Sequence, residues 1–208
     1  LFLVGALAVV GILVRRARRH PTPCPWWLRF LLENPFMNRV AGASTVIARL
    51  DLAPGMQVLD VGCGPGRLTL PLARQVAADG KVVAVDMQER MLAVLRERLA
   101  HQGITNVETI LKGAGQGDLG HEDTFDRAVL VTVLGEIRGR EEALREIFCA
   151  LKPGGILSVT EVLLDPDYQP ASRVRRMAET AGFEFHEKHG SAFAFTITLR
   201  KPKKAHPT

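Results

Sequence analysis

Three glycines at alternate positions, Gly62, Gly64 and Gly66, directly follow the apolar run VLDV that ends at residue 61. Glycine loses more conformational freedom on folding than any other residue, and it weakens the interior of a strand. The three glycines therefore predict a loop whose backbone lies very close to another group. A dinucleotide-binding loop has its third glycine three residues after the second, where this chain has Arg67. The spacing does not match the dinucleotide fingerprint.

The segments around this loop alternate between short apolar runs and longer stretches with helical periodicity. Strands are predicted at 56–61, 81–86, 106–111, 125–134 and 156–164, helices at 37–52, 67–78, 89–103, 140–155 and 172–182, and a closing antiparallel pair at 183–190 and 191–201. Strands that alternate with helices form a parallel sheet with both faces covered. The predicted fold class is therefore α/β: a seven-stranded, mostly parallel sheet with a C-terminal antiparallel hairpin and helices on both faces.

Composition limits the domain count and the type of site. The chain has 208 residues, of which 47% are apolar and 24% charged, enough for one domain with a proper core. Its three cysteines, Cys24, Cys63 and Cys149, are widely spaced and form no CxxC pair. We therefore expect no disulfide framework and no metal site, and a reducing compartment. The net charge of +5 fits a nucleic acid, a membrane surface or no charged partner at all, and the location of the charge decides between them.

Much of the positive charge follows an apolar N-terminal stretch. Residues 1–14 have no polar side chain, and RRARRH occupies 15–20. Fourteen residues of helix span about 21 Å, less than the roughly 30 Å of a bilayer core. The chain does not begin with methionine, and we expect further residues before Leu1. A signal peptide carries its positive charge before the apolar stretch, whereas here the charge follows it. The positive-inside rule then predicts a membrane anchor with the rest of the chain on the cytoplasmic side. A buried core helix is the alternative.

A proline-rich segment follows the basic cluster. Four prolines lie between positions 21 and 35, and they prevent a continuous helix at either end of this stretch. Trp26 and Trp27 are typical of a membrane interface. A short amphipathic helix at 26–33 is predicted to form a lid that touches lipid. The alternative is that this helix packs on the domain and buries both tryptophans.

Four motifs together resemble one known family. VLDVGCGPG, VVAVDM, FDRAVLVTVL and LKPGGILSVTE, in this order and spacing, resemble the class I S-adenosylmethionine-dependent methyltransferases. The resemblance is greatest to the small-molecule branch that includes ubiquinone/menaquinone-type C-methyltransferases, and it extends from residue 35 to about residue 200. It implies a Rossmann-like fold with S-adenosylmethionine as cofactor. The expected divisions are a membrane anchor at 1–20, lid and linker helices at 21–50, a methyltransferase domain at 51–200 and a basic tail at 201–208.

The resemblance implies roles for individual residues in cofactor binding. The glycine loop would pass under the methionine part, and Asp60 would order that loop and meet the methionine amino group through water. Asp86 would hold the ribose, and Met87 would pack on the adenine. Many relatives have Gly-Asp-Ala after the third strand, but Ala114 stands in place of the aspartate here. Either the backbone of Ala114 and Gly115 replaces it, or adenine is held more loosely. The predicted cofactor-binding residues are Asp60, Gly62, Cys63, Gly64, Gly66, Asp86, Met87, Ala114, Gly115 and Thr132. The alternatives are a capping role for Asp60, a loop-filling role for Cys63 and a core position for Met87.

The methyl acceptor is expected over the carboxyl ends of the fourth and fifth strands. These ends supply Thr132, Gly135, Glu136, Glu161, Asp165, Asp167 and Tyr168. The predicted catalytic residues are Glu136, as a base or a carboxylate that holds a cation, and Tyr168. A solvated loop position is the alternative for Glu136, and a solvent-facing strand end is the alternative for Glu161.

The sequence therefore predicts a membrane-associated methyltransferase that acts on a small hydrophobic or lipid-like acceptor, such as a lipid headgroup, a quinone or a thiol. A soluble metabolite remains an alternative acceptor. An alternative of a different class is a catalytically silent, membrane-tethered S-adenosylmethionine-binding sensor or assembly factor. No nucleic-acid partner is expected, because no aromatic-plus-proline motif follows the fourth strand. The basic excess also lies largely at the anchor and in the C-terminal RKPKK.

Overall fold

The computed structural model describes residues 42–117, 119–163 and 165–203. These ranges contain five helices and seven strands. The helices are α1 (Ala43–Ile47), α2 (Thr69–Gln75), α3 (Glu89–His101), α4 (Arg140–Ala150) and α5 (Ala171–Thr180). The strands are β1 (Gln57–Val61), β2 (Lys81–Asp86), β3 (Val107–Leu111), β4 (Phe125–Val131), β5 (Leu151–Val162), β6 (Glu184–Gly190) and β7 (Ala194–Arg200). The predicted anchor and the predicted lid helix at 26–33 lie outside the described residues, as does most of the basic tail.

The seven strands form one sheet in the order β3-β2-β1-β4-β5-β7-β6. Strands β1 to β5 run parallel, and β7 pairs antiparallel with both β5 and β6. Neighbouring residues of one strand point to opposite faces, so that Val58 belongs to the core beneath α1 and α2 while Leu59 belongs to the core beneath α4 and α5. The predicted fold, a mostly parallel sheet with a C-terminal antiparallel hairpin and helices on both faces, is confirmed.

Several predicted element boundaries were wrong, and the backbone explains two of them. Helix α4 ends at Ala150, and β5 begins at the next residue, although 140–155 was predicted to be helical. The Pro-Gly-Gly run lies inside β5, where the register with β4 shifts and Gly154 has a φ of +83°. Strand β4 ends at Val131, before the predicted residue 134, because Thr132 takes a left-handed φ of +55°.

The first described residues pack into the domain core. Val46 and Leu50 are buried with Val58 and Leu72 on one face of the sheet. The Arg127 guanidinium donates hydrogen bonds to the backbone carbonyl oxygens of Leu50, at 2.6 Å, and Asp51, at 3.0 Å. The end of the segment that the sequence analysis assigned to lid and linker helices is thus fixed to β4.

In the part of the chain that the structure describes, no helix combines the length and the apolar character needed to cross a membrane. At the sheet edge beyond β7, strand β6 has almost all of its side chains exposed.

Candidate active site

A cavity of about 540 Å³ lies at the carboxyl ends of β1, β2 and β4, where open α/β sheets bind ligands. It is lined by the loops that follow β1 to β4. Ten of the twelve residues that the sequence analysis assigned to the site line this cavity: Asp60, Gly62, Cys63, Gly64, Asp86, Met87, Ala114, Gly115, Thr132 and Glu136. Gly66 and Tyr168 are absent from its wall.

The three glycines of the β1–α2 loop all have positive φ, but their surroundings differ. A β-carbon on Gly62 would lie 2.5 Å from Val133 Cγ1, so this glycine allows the loop to pack against the end of β4. A β-carbon on Gly66 would collide with Leu95 of α3. Among the described residues, no heavy atom would lie within 4 Å of a β-carbon on Gly64. Gly64 therefore leaves bare backbone towards the cavity, whereas Gly66 serves helix packing.

Asp86, at the end of β2, joins this loop to the start of α3. Its Oδ2 accepts a hydrogen bond from Gly64 N at 2.9 Å, and its Oδ1 accepts one from Gln88 N at 2.8 Å. Burial raises the pKa of Asp86, and these backbone hydrogen bonds partly oppose that rise. Each carboxylate oxygen has a second lone pair. The carboxylate can therefore hold the loop and accept hydrogen bonds from ligand hydroxyls at the same time.

Asp60 is buried at the end of β1, on the inner side of the glycine loop. Thr69 Oγ1 donates a 2.7 Å hydrogen bond to Asp60 Oδ2. Burial raises the pKa of Asp60 to about 6, while the Thr69 hydrogen bond lowers it and the charge of Asp86 raises it. Asp60 thus ties the loop to α2, and it also lines the cavity.

The loop after β3 is held by a residue that the sequence analysis missed. Glu146 of α4 accepts hydrogen bonds from Gly115 N at 2.9 Å and from Gly117 N at 2.8 Å. The Gly115 amide is thus already engaged, and Ala114 and Gly115 meet the cavity from a loop fixed by α4. Glu146 lies on the polar face of an ordinary amphipathic helix, so no sequence pattern marks it.

Three further wall residues differ in exposure and conformation. The Met87 side chain is 52% exposed, so the alternative that it is an ordinary core residue was wrong. Cys63 is buried, and burial raises the pKa of its thiol, which therefore stays protonated. Thr132 is a β-branched residue with left-handed φ, and its Oγ1 donates to Val131 O at 2.7 Å. Such strain costs about 1–3 kcal/mol and often occurs at functional sites.

The two predicted catalytic residues occupy different positions. Glu136 is half-buried in the cavity wall, beside the apolar side chains of Val133 and Ile137. Tyr168 lies outside this wall, where its hydroxyl donates to Ala192 O at 3.0 Å and its ring packs edge-on against Phe195. The structure thus brings Glu136 together with the cofactor residues and does not bring Tyr168 to them.

Glu161 lies behind this wall, at the end of β5. It is 1% exposed, so the alternative that it faces solvent was wrong. Its Oε2 accepts a hydrogen bond from Gln169 N at 3.1 Å. Burial raises the pKa of Glu161 to about 8, and it raises the pKa of the nearby Asp165 to about 6.

The strand order, the glycine loop after β1 and the acidic residue at the end of β2 define the class I fold of S-adenosylmethionine-dependent methyltransferases. A family model described as "Methyltransferase domain" matches residues 52–190. The chain therefore belongs to this methyltransferase family.

Curated relatives agree with this assignment, and a solved structure shares the fold. The chain is 38% identical over 109 residues to a demethylmenaquinone methyltransferase of Symbiobacterium thermophilum, covering 52% of this chain and 43% of that protein. It is 38% identical over 111 residues to a ubiquinone/menaquinone biosynthesis C-methyltransferase of Hydrogenovibrio crunogenus, covering 53% and 43%. These alignments span less than half of each relative's length. A SAM-dependent methyltransferase from Aquifex aeolicus superposes with a TM-score of 0.77 at 22% identity, over 86% of this chain and 99% of that one.

The cavity residues fit the cofactor of this family. The open space over Gly64 permits a ligand to approach the backbone directly. The Asp86 carboxylate lies beside that space, and the exposed Met87 thioether offers an apolar surface for a flat ring. Ala114, in place of the aspartate of many relatives, supplies no carboxylate for the adenine amino group.

Proposed function

We propose that this protein transfers a methyl group from S-adenosylmethionine to a small hydrophobic or lipid-like acceptor at a membrane surface. The observation that carries the proposal is the continuity of one cavity. The same space reaches Gly64 and Asp86 at its cofactor end and Glu136 at the end of β4. A ligand bound over the glycine loop and an acceptor beside Glu136 would therefore meet without crossing a wall.

In this scheme the residues of the chain bind the cofactor and orient the acceptor. S-adenosylmethionine supplies, when bound, an electrophilic methyl group. The protein then mainly has to align an acceptor with that group and exclude water. Gly64 and Asp86 fix one end, and Val133 and Ile137 form an apolar wall at the other. In this proposal Glu136 accepts the proton of an acidic acceptor, or holds a positively charged one.

Three observations support a hydrophobic acceptor. One curated relative is named a demethylmenaquinone methyltransferase, and the other a ubiquinone/menaquinone biosynthesis C-methyltransferase. The acceptor end of the cavity has the apolar side chains of Val133 and Ile137. Residues 1–14 are apolar and precede a basic cluster, which supports a membrane location with the methyltransferase domain on the cytoplasmic side. Among hydrophobic acceptors, a quinone is the one that the relatives favour.

A second candidate is a membrane-tethered protein that binds S-adenosylmethionine without turnover. The specific observation in its favour is Ala114, which stands where many relatives have an adenine-binding aspartate. The continuous cavity with Glu136 at its far end favours catalysis, since a sensor needs no acceptor space.

The test incubates the full chain with S-adenosylmethionine labelled on its methyl group and a short-chain demethylmenaquinol, or in parallel a total membrane lipid extract. Label in the quinol identifies a quinone methyltransferase, and label in another lipid identifies a different acceptor. Binding of the labelled compound without any labelled product would support the sensor.

Two variants make this assay specific for the site. Glu136→Gln should lower product formation by about tenfold or more while leaving cofactor affinity unchanged. Glu141→Gln changes an exposed glutamate on α4 that pairs with Arg145, and it should retain full activity. Equal loss in both variants, or in neither, would contradict the role of Glu136.

A further inference from the structure

Two buried oxygen atoms behind the acceptor wall have no hydrogen-bond partner among the residues that the structure describes. They are Oε1 of Glu161 and Oε1 of Gln169, in residues that are 1% and 6% exposed. Both atoms are acceptors when Glu161 is ionised, so neither can satisfy the other. Buried polar atoms in folded proteins are almost always hydrogen-bonded, and an orphaned acceptor is costly.

The orientation of Gln169 is fixed by its other atoms. Its Nε2 donates to Asp167 O at 2.7 Å, so its Oε1 is the remaining acceptor. Its backbone N donates to Glu161 Oε2 at 3.1 Å, which brings the residue against the carboxyl group. A single proton on Glu161 Oε1 would turn one of the two orphaned acceptors into a donor.

We propose that Glu161 holds a proton and donates it in a hydrogen bond to the Gln169 side-chain carbonyl. This neutral pair fixes the β5–α5 loop against the acceptor wall, and Glu161 is thereby a positioning residue for Glu136. The catalytic part of this inference rests on the proposed methyl transfer, whereas the protonated pair does not.

Burial favours the neutral form of Glu161, whereas the groups that face it act in both directions. The backbone hydrogen bond from Gln169 N and the charge of Arg140 in α4 lower its pKa. Asp165 in the β5–α5 loop and Glu136 in the β4–α4 loop raise it. Burial has the largest effect, so the pKa is about 8 and Glu161 is protonated at neutral pH. Tyr168 and Asp167 are the other titratable groups of the same loop. Burial raises the pKa of Tyr168, and the charge of Glu161 raises it further.

The Arg140 guanidinium is largely engaged in hydrogen bonds to the loop that contains Glu136. Its Nε donates to Leu134 O at 3.1 Å, and its Nη2 donates to Gly135 O. No group of three or more metal-ligating side chains occurs among residues 42–117, 119–163 and 165–203. A proton therefore explains the orphaned atoms more directly than a metal ion.

The loop that contains Gln169 touches the wall that contains Glu136. A β-carbon on Gly135 would collide with the backbone of Asp167, so the two loops are in direct contact. Ionisation of Glu161 would leave two buried oxygens unpaired and add a negative charge near Glu136. Both effects would loosen the β5–α5 loop and disturb the residue that we place beside the acceptor.

The first experiment detects the proton without any assay of activity. Infrared spectra of the cofactor-free full chain at neutral pH should show the carbonyl band of a buried carboxylic acid. The band should persist in Glu184→Gln, which changes an exposed glutamate of β6, and be absent in Glu161→Gln. In Gln169→Met, which keeps Glu161, it should shift to the frequency of an acid without a hydrogen bond. An absent band in the unmodified chain, or an unshifted band in Gln169→Met, would overturn the pair.

The second experiment tests positioning through pH profiles. The amide of Glu161→Gln can donate to Gln169 but cannot titrate, so this variant should keep most of the activity at neutral pH. The unmodified chain and Glu184→Gln should lose activity as pH rises through about 8, and Glu161→Gln should not. Identical alkaline profiles in all three proteins would contradict the positioning role. If no protein has activity, methyl transfer fails while the infrared bands still decide the pair.

Discussion

Gly64 and Asp86, separated by 22 residues, are joined by a 2.9 Å hydrogen bond from the glycine amide to the carboxylate. The same carboxylate also binds Gln88 N and faces the cavity. One side chain thus orders two loops that contribute to the cofactor end of the site.

Asp86→Ala should weaken S-adenosylmethionine affinity by at least about tenfold, because hydrogen bonds to a charged acceptor contribute about 1.5–3 kcal/mol. The fold should persist, since β2 remains buried between β1 and β3. Titration calorimetry measures the affinity, and circular dichroism the fold. Asp79→Ala, which changes an exposed aspartate, is the control and should bind normally. Unchanged affinity in Asp86→Ala would contradict the assigned cofactor position.

Gly64→Val and Gly66→Ala should separate binding from stability. A side chain at Gly64 enters open space towards the cavity, so binding should be lost while the left-handed φ costs about 1–2 kcal/mol of stability. A methyl group at Gly66 collides with Leu95 and Leu70. The free energy of unfolding of Gly66→Ala should therefore fall by more than that of Gly64→Val. Urea denaturation with parallel cofactor titration measures both. Retained binding in Gly64→Val would show that this loop is not the floor of the site.

Thr69→Val should destabilise the protein by about 1–3 kcal/mol at neutral pH, because the buried Asp60 carboxylate loses its side-chain donor. The folded pKa of Asp60 is raised to about 6, so its neutral form is favoured and stability falls as pH rises towards 6. The variant raises the pKa of Asp60 further. The stability that Thr69→Val loses relative to the unmodified chain should therefore be smallest near pH 4 and grow with pH. Urea denaturation across this range measures it. Thr198→Val, at a buried threonine without a carboxylate partner, should show no such trend.

Glu146→Ala should lower cofactor affinity several-fold, because Gly115 N and Gly117 N lose their acceptor and the loop beside the cavity is released. The free energy of unfolding should change by less than about 1 kcal/mol, as expected for a partly exposed helix position. Isothermal titration and thermal unfolding measure the two effects. Affinity equal to that of the unmodified chain would mean that this loop makes no contribution to binding.

Deletion of residues 1–20 should leave a folded domain that still binds S-adenosylmethionine, because every described cavity residue lies after residue 55. Activity on a bilayer-embedded acceptor should fall by about 10²–10⁴-fold, because tethering raises the effective concentration of the acceptor. Activity on a short-chain, water-soluble analogue should change little. Equal activity of both proteins on the bilayer acceptor would remove the main support for a lipid-like substrate.

The sequence predicted features that depend on local pattern. The glycine loop follows from the residue types at 62–66, and Asp86 follows from its place at the end of an apolar strand. The alternation of strands with helices was enough to predict the mostly parallel sheet, because each face of such a sheet needs a covering layer.

Features that depend on contacts between distant residues were not predicted. Glu146 reaches Gly115 across 31 residues, and no helix pattern shows which glutamate will do so. Gly66 was grouped with Gly64 by spacing, yet its neighbour is Leu95 of another helix. The burial of Glu161 depends on how the β5–α5 loop folds back, which the strand alone does not specify.

The exposed strand β6 affects how copies of this chain meet one another. An edge strand presents unpaired backbone groups that can recruit a further strand from another molecule. In β6 those groups are flanked by charged and imidazole side chains, including Glu184, Glu187, Lys188 and His189. Charged edge residues oppose strand addition, because a paired strand would remove water from these charges, which costs free energy. The β6 edge of the described sheet is thereby protected against edge-to-edge aggregation, even where many copies are crowded together.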